Sequence, residues 1–400
     1  MRSATQKKSG NAVIIGHALK TSVGDQSFLT YGALIGNMGK SLPSSVYEQK
    51  EKTGAYKPVL VNQIDAMSDY VETDRIYSLL EESLNEMIAK YIDLMSGKRI
   101  LICVLTPSTA SLRGEFCDVD DWSEKLKEKN EFIAKCSLKL FPSNEANALT
   151  TLDRMKQVLA DEKVDYIIYG GVDSLLDQGT SMELALQRKL QTVESPDGIV
   201  LGEAAGFILL KNADKLDENE QILASMTTCA VRADLKGETS QDLLQCINSV
   251  LQSESLTIDG VSSIYHTLGE SYSSRLEWHR LAQQLWASEI TEQQRIEIML
   301  DESESSKFEK IRKTKEFPFY LTFGNIGAAD IFIKVINACE AFQYAQAFSP
   351  HLDNDEENVV VCDTSLNDSR GALLLTKPQD IVTRVEIDIN EQAVGLEEVL

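Results

Sequence analysis

The side chains here with catalytic or metal-binding potential are few and scattered. Seven cysteines (Cys103, Cys117, Cys136, Cys229, Cys246, Cys339 and Cys362) fall without CxxC spacing, and the four histidines (His17, His266, His279 and His351) form no ligand pair with them. A structural zinc site needs four such ligands in close pairs, so no metal and no cofactor is expected. Cys103 and Cys362 sit inside apolar runs, Ile102-Cys103-Val104 and Val361-Cys362, and read as buried small hydrophobes. His266 closes the run Val261-Ser262-Ser263-Ile264-Tyr265-His266, with Glu277 eleven residues on. A histidine at a strand end can polarise a carbonyl or move a proton, or it can be purely structural. Asn325, beside Gly324, suits a turn; its amide can donate a hydrogen bond but cannot be protonated. Glu145 stands ahead of a helical stretch, where a carboxylate complements the helix N-terminus.

The elements that must position these residues alternate along the chain. Asn11–Gly16, Arg99–Leu105, Val164–Tyr169 and Phe207–Leu210 read as buried strands, with helices over Thr73–Ser96 and Ala148–Ala160. Gly170-Gly171-Val172-Asp173-Ser174-Leu175 reads as a strand end with a backbone bend, and Asp197 to Phe207 as a glycine-rich turn into the next strand. The pattern then repeats. Helices are expected over Gln241–Gln252, Leu276–Ala287 and Ala328–Ala347, and strands over Val261–His266, Phe319–Phe323, Asn358–Cys362 and Gly371–Thr376. Such alternation predicts an α/β protein with helices layered on sheets. Residues 1–10 read as a disordered lead-in and 378–400 as a tail.

Charge narrows the function. The formal net charge of −23 over 400 residues disfavours nucleic acid, because no basic stripe offsets the repulsion from phosphates. No run of 18 apolar residues offers a membrane span, and the basic start lacks the apolar stretch of a signal peptide. A cytoplasmic protein is expected.

The order and spacing of Gly170-Gly171-Val172-Asp173-Ser174-Leu175, Gly202-Glu203-Ala204-Ala205-Gly206 and Phe323-Gly324-Asn325-Ile326-Gly327-Ala328-Ala329 resemble the β-ketoacyl synthase branch of the thiolase-like fold. The resemblance spans about Asn11 to Thr376. It implies two similar α/β halves, 11–215 and 216–377, in a five-layer αβαβα arrangement. It also implies that the condensation chemistry is degraded. The nucleophilic cysteine position falls on Glu145, with Cys136 nine residues upstream. The first histidine position falls on His266, the second on Asn325 and the supporting lysine on Tyr320. The gating loop falls on Asn367-Asp368-Ser369-Arg370-Gly371, with one glycine kept.

Fold retained and nucleophile lost resembles the chain length factor of type II polyketide synthases. That resemblance implies a non-catalytic subunit that forms a heterodimer with an active ketosynthase. It meets acyl carrier protein mainly through that partner and shapes the tunnel in which a polyketide or polyene grows. The interface strand would be Ala134 to Phe141, including Lys135, Cys136, Ser137, Leu138, Lys139 and Leu140; tunnel-floor candidates are Phe116, Trp122, Phe132 and Phe141. The alternatives are a malonyl-carrier-protein decarboxylase of the nucleophile-replaced type, against which Asn325 and Glu145 argue, and a non-catalytic homodimeric scaffold.

Overall fold

Two sets of five strands follow the same plan. The computed structural model describes residues 12–379 apart from 144–146, 234–238, 287–313, 349–355 and 365–368. The lead-in 1–10, the tail from residue 380, most of the acidic stretch 288–315 and the loop 350–357 up to residue 355 lie outside the described residues.

The first half runs β1 (Ala12–Thr21), α1 (Ser27–Ile35), the hairpin β2 (Leu42–Lys50) and β3 (Tyr56–Asn62), α2 (Glu72–Met95) and β4 (Ile100–Thr106). It continues with α3 (Leu112–Glu115), α4 (Val119–Lys129), α5 (Glu131–Ala134), β5 (Ser137–Pro142), α6 (Ala148–Ala160), β6 (Tyr166–Ser174), α7 (Gln178–Leu186) and β7 (Leu201–Asn212). The second half runs β8 (Ala224–Ala233), α8 (Thr239–Ser253), β9 (Ser263–His266), α9 (Tyr272–Leu285) and β10 (Lys315–Pro318). It ends with α10 (Tyr320–Phe323), α11 (Asp330–Phe348), β11 (Asn358–Asp363) and β12 (Ser369–Thr376).

The strand order β5-β4-β6-β7-β1 in the first half is matched by β10-β9-β11-β12-β8 in the second. The directions match too. β1/β7 and β6/β7 are antiparallel, as are β8/β12 and β11/β12, while β4 is parallel to β5 and β6 as β9 is to β10 and β11. The halves join where Val13 and Ile14 of β1 pair with Ser225 and Ala224 of β8.

Five layers result. α2 covers β1, β6 and β7 on one outer face, and α8 covers β8, β11 and β12 on the other. α6 and α11 form the middle layer, each touching strands of both halves. Sequence explains the assignment. α2 buries Ile76, Leu79, Leu80, Leu84, Met87 and Ile88 on one stripe, as a surface helix does. α11 is apolar nearly all round, with Ile331, Phe332, Ile333, Val335, Ile336, Cys339 and Phe342 buried, as a helix between two sheets must be.

Several expectations change, among them the turn expected up to Phe207, which gives way to β7 from Leu201. Gly170 and Gly171 lie inside β6 rather than at a bend. A Cβ on Gly170 would stand 2.2 Å from the Phe207 ring, and one on Gly171 2.3 Å from the Ala328 carbonyl, so close approach is what requires glycine there. The strand expected over Phe319–Phe323 is instead β10, ending at Pro318. The Phe319 amide makes the last bond of that edge, to the His266 carbonyl, and the chain then turns helically into α10. The strand expected over Ala134–Phe141 starts later. Asn130 caps α5 by accepting from the amides of Phe132 and Ile133, which holds Ala134 in a helical turn. Lys135 and Cys136 therefore precede the strand, and Ser137, Leu138, Lys139 and Leu140 lie in β5. Among the described residues β5 pairs on one side only, with β4.

Candidate functional site

His266 is the last residue of β9 and is buried. Its imidazole stacks on the indole of Trp278 from α9, with centroids 3.8 Å apart. Burial, aided by the nearby Lys334 cation, pushes its pKa down to about 3, so the ring is neutral at physiological pH. Glu277 does not serve it, because its carboxylate pairs with Arg370 at 2.8 and 3.1 Å.

Lys334 is a member of this cluster that the sequence reading missed. It is fully buried in α11, and its ammonium donates to the Thr267 hydroxyl, to the Asp330 carboxylate and to the Cys362 carbonyl. All three donor positions are engaged. The available signal was a lysine four residues after Asp330 in an otherwise apolar helix.

Asn325 lies in the turn between α10 and α11. Its side-chain amide donates to Glu270 at 3.2 Å and its carbonyl oxygen accepts from the Gly327 amide at 3.2 Å. The Glu270 carboxyl is pushed up to about 8 by burial, against the opposing effect of the Asn325 hydrogen bond, so the neutral acid dominates at pH 7. Tyr320, expected at the lysine position, opens α10 and packs its ring on Gly269, where a Cβ would stand 2.2 Å away. Burial raises its hydroxyl pKa as well.

The turn is held from below. Asp173 at the end of β6 accepts from Arg113 at 2.7 and 3.0 Å and from the Ala328 amide at 2.9 Å. Gly327 has φ of 52°, and a Cβ there would meet the Asp173 carboxylate at 1.9 Å.

Glu145 lies outside the described residues, as do Asn367 and Asp368 of the expected gating loop. The described cap of α6 is Asn147, whose side-chain oxygen accepts from the Leu149 and Thr150 amides. All seven thiols have raised pKa values through burial. Cys103, Cys117 and Cys362 reach about 12, Cys136 and Cys246 about 11, and Cys229 and Cys339 also shift upward. None is a thiolate at neutral pH. No group of three metal-ligating side chains occurs among the described residues.

The tunnel-floor candidates do not converge. Phe116 is 70% exposed after α3, whereas Trp122 is buried against Tyr77 of α2. Phe132 packs on the same outer core as Trp122, and Phe141 packs on the core between the two sheets.

The site thus combines a neutral imidazole, a protonated carboxyl, an amide and a fully engaged ammonium. It can hydrogen-bond a ligand, but it offers no thiolate to carry an acyl group.

No protein-family model matches this sequence, and no curated protein does. Solved structures match it in fold. A chain in the complex of a type II polyketide synthase acyl carrier protein with its ketosynthase bound to the hexaketide has TM-score 0.70 at 10% identity, covering 93% of this chain and all of that one. The oxazolomycin ketosynthase domain of Streptomyces albus has TM-score 0.68 at 14% identity over 93% of this chain and 75% of its own. The ishigamide ketosynthase/chain length factor has TM-score 0.61 at 12% identity over 92% and 99%. By fold this chain is of the thiolase-like class, in the form that ketosynthases share.

Proposed function

We propose that this chain is a non-catalytic, chain length factor-like subunit. It pairs with an active ketosynthase and shapes the tunnel in which a polyketide or polyene chain is extended on an acyl carrier protein. What supports the reading is a retained fold without a poised thiol: four cysteines are buried, three are half-buried and all seven have raised pKa values, while His266 is neutral and Asn325 is committed to Glu270.

The surface supports a partner. β5 is an open sheet edge among the described residues, which natural proteins cover or blunt. α3 and α7 pack together and expose Leu112, Phe116, Met182 and Leu186. Exposed apolar side chains on two elements that pack together favour an interface on this face. Two of the matching structures are a ketosynthase with its acyl carrier protein and a ketosynthase/chain length factor. The chain's net charge of −23 makes it a poor primary surface for an acidic carrier, so carrier contact falls mainly to the partner. The buried free thiols fit a reducing cytoplasm. In this reading the halves divide as 11–215 and 216–377.

Co-expression with a cysteine-bearing ketosynthase from the same gene neighbourhood, followed by capture on a tag carried by this chain, tests the proposal. A stoichiometric complex is expected. A stable monomer or homodimer that leaves the ketosynthase unbound would overturn it.

A further inference from the structure

A cleft of about 560 Å³ opens between α9 and β10. The volume falls in the range of small-molecule sites, roughly 300–1,000 Å³. Strand periodicity supplies one wall. Glu316 and Pro318 alternate with Lys315 and Phe317 along β10, so they share the face turned to α9. Three rings line the rest, Tyr272 and Trp278 from α9 and Tyr320 from α10, and Leu276 adds apolar surface. Tyr272 is 68% exposed, so its ring stands at the opening.

Trp278 is held by face and by edge. His266 stacks on it at a centroid distance of 3.8 Å, and its indole N–H donates to Glu316 at 2.9 Å. That bond fixes the Glu316 carboxylate against the ring edge, within the lining. The positive groups nearby are accounted for. The Arg275 guanidinium donates to Asp197 at 2.7 Å and to the Gly269 carbonyl at 3.2 Å, so its charge is matched by a carboxylate. His266 is neutral, and His279 shares a hydrogen bond with Gln283 at 3.0 Å. The wall's negative features are the Glu316 carboxylate and the π faces of three rings, in a chain of formal net charge −23.

We propose that this cleft binds an organic ammonium ion, its cationic head among the aromatic faces beside Glu316 and its apolar body on Leu276 and Pro318. A cation over an aromatic face is attracted by the ring quadrupole, more strongly where water is excluded. An anion meets the same features as repulsion, and a neutral molecule of the same shape keeps only the apolar contact. The site is independent of the subunit reading. The titration needs no ketosynthase and the capture needs no ammonium ligand, so either can fail alone.

The test is isothermal titration of the full chain with benzyltrimethylammonium at pH 7 and about 0.15 M salt, where long-range attraction to the acidic chain is screened. Choline and its neutral isostere, in which a tert-butyl group replaces trimethylammonium, separate charge from shape. Glu316→Gln keeps an acceptor for the Trp278 indole and removes the charge. Tyr272→Leu keeps apolar bulk at the opening and removes the π face; circular dichroism confirms that both fold. Saturable one-to-one binding of benzyltrimethylammonium is expected, weakened about tenfold by Glu316→Gln and about threefold by Tyr272→Leu. Choline should bind about tenfold more tightly than its isostere. Three results would overturn the proposal: no saturable binding up to about 10 mM, affinity unchanged in both folded variants, or the neutral isostere binding as tightly as choline.

Discussion

The side-chain amide of Asn325 donates to one carboxyl oxygen of Glu270 at 3.2 Å, and the other carboxyl oxygen is buried with no partner among the described residues. A carboxyl so placed is held as the neutral acid, which gives the fold a pH dependence of definite sign. The folded pKa of about 8 lies above the ordinary 4.5, so between those values the native state holds a proton that the unfolded chain has lost. Stability from this group is therefore fully present below about 4.5 and is lost as pH rises through 8. His266 acts oppositely. Its pKa is lowered from 6.5 to about 3, so its contribution is lost on acidification below 6.5. Above pH 6.5 only the Glu270 effect remains of the two. Glu270→Gln keeps an acceptor for Asn325 and removes the titration. Its melting temperature should gain on wild type steadily from pH 6.5 to 8.5; a difference that stays constant across that range would show that Glu270 is already ionised.

The Arg113–Asp173 pair makes a second case. Both side chains are buried, and Asp173 also anchors the Ala328 amide. Removing one partner leaves a buried charge uncompensated, at a cost of about 3–5 kcal/mol. Arg113→Ala should lower the unfolding free energy by that order in denaturant titration. In Arg113→Ala/Asp173→Asn the loss should be smaller than the sum of the single losses, because the pair acts as a unit. Additive losses would mean the two residues stabilise the fold separately.

These residues also mark how far the sequence could be read. α6 was legible to the residue as a helix over Ala148–Ala160, but its cap is Asn147, a residue the sequence reading passed over in favour of Glu145. His266 was legible as a strand end. The glycines at 170 and 171 were legible as positions intolerant of a side chain, but the reason was not. Their neighbours are Phe207 and Ala328, which are remote in the chain, so a local reading made them bends. The Arg113–Asp173 pair spans 60 residues and left no local pattern. Lys334 was hidden for the opposite reason: an apolar helix reads as core, and a single lysine in it reads as a defect until Thr267, Asp330 and the Cys362 carbonyl are seen around its ammonium. The start of β5 failed on a cap, since Asn130 holds Glu131–Ala134 in a helical turn and the strand expected from Ala134 begins at Ser137.

The thiols give a direct check on the proposed lack of a nucleophile. Burial raises every cysteine pKa to about 11 or beyond, or upward where no value is fixed, so alkylation at pH 7.5 should be slow at all seven. Iodoacetamide followed by intact-mass spectrometry should show mostly unmodified native chain over an hour, and seven adducts in guanidinium. One thiol labelled as fast as free cysteine in the native protein would restore a candidate acyl acceptor.

The exposed apolar side chains of the α3–α7 face supply the sharpest test of the proposed partner surface. Phe116 is 70% exposed and Leu186 is 76% exposed, so neither contributes much to the core. Replacing both with glutamate should leave the melting temperature within a few degrees of wild type, as surface changes usually do. At an interface the same changes bury charge against an apolar partner and remove the central contacts that dominate binding. Phe116→Glu/Leu186→Glu should therefore reduce ketosynthase capture by about a hundredfold or more in affinity, on the order of 3 kcal/mol. Val46→Glu, on the exposed β2 hairpin at 75% exposure, measures how far the hairpin belongs to the same surface. If the double variant captures the ketosynthase as well as wild type does, the α3–α7 face is not the interface and the partner must be held elsewhere.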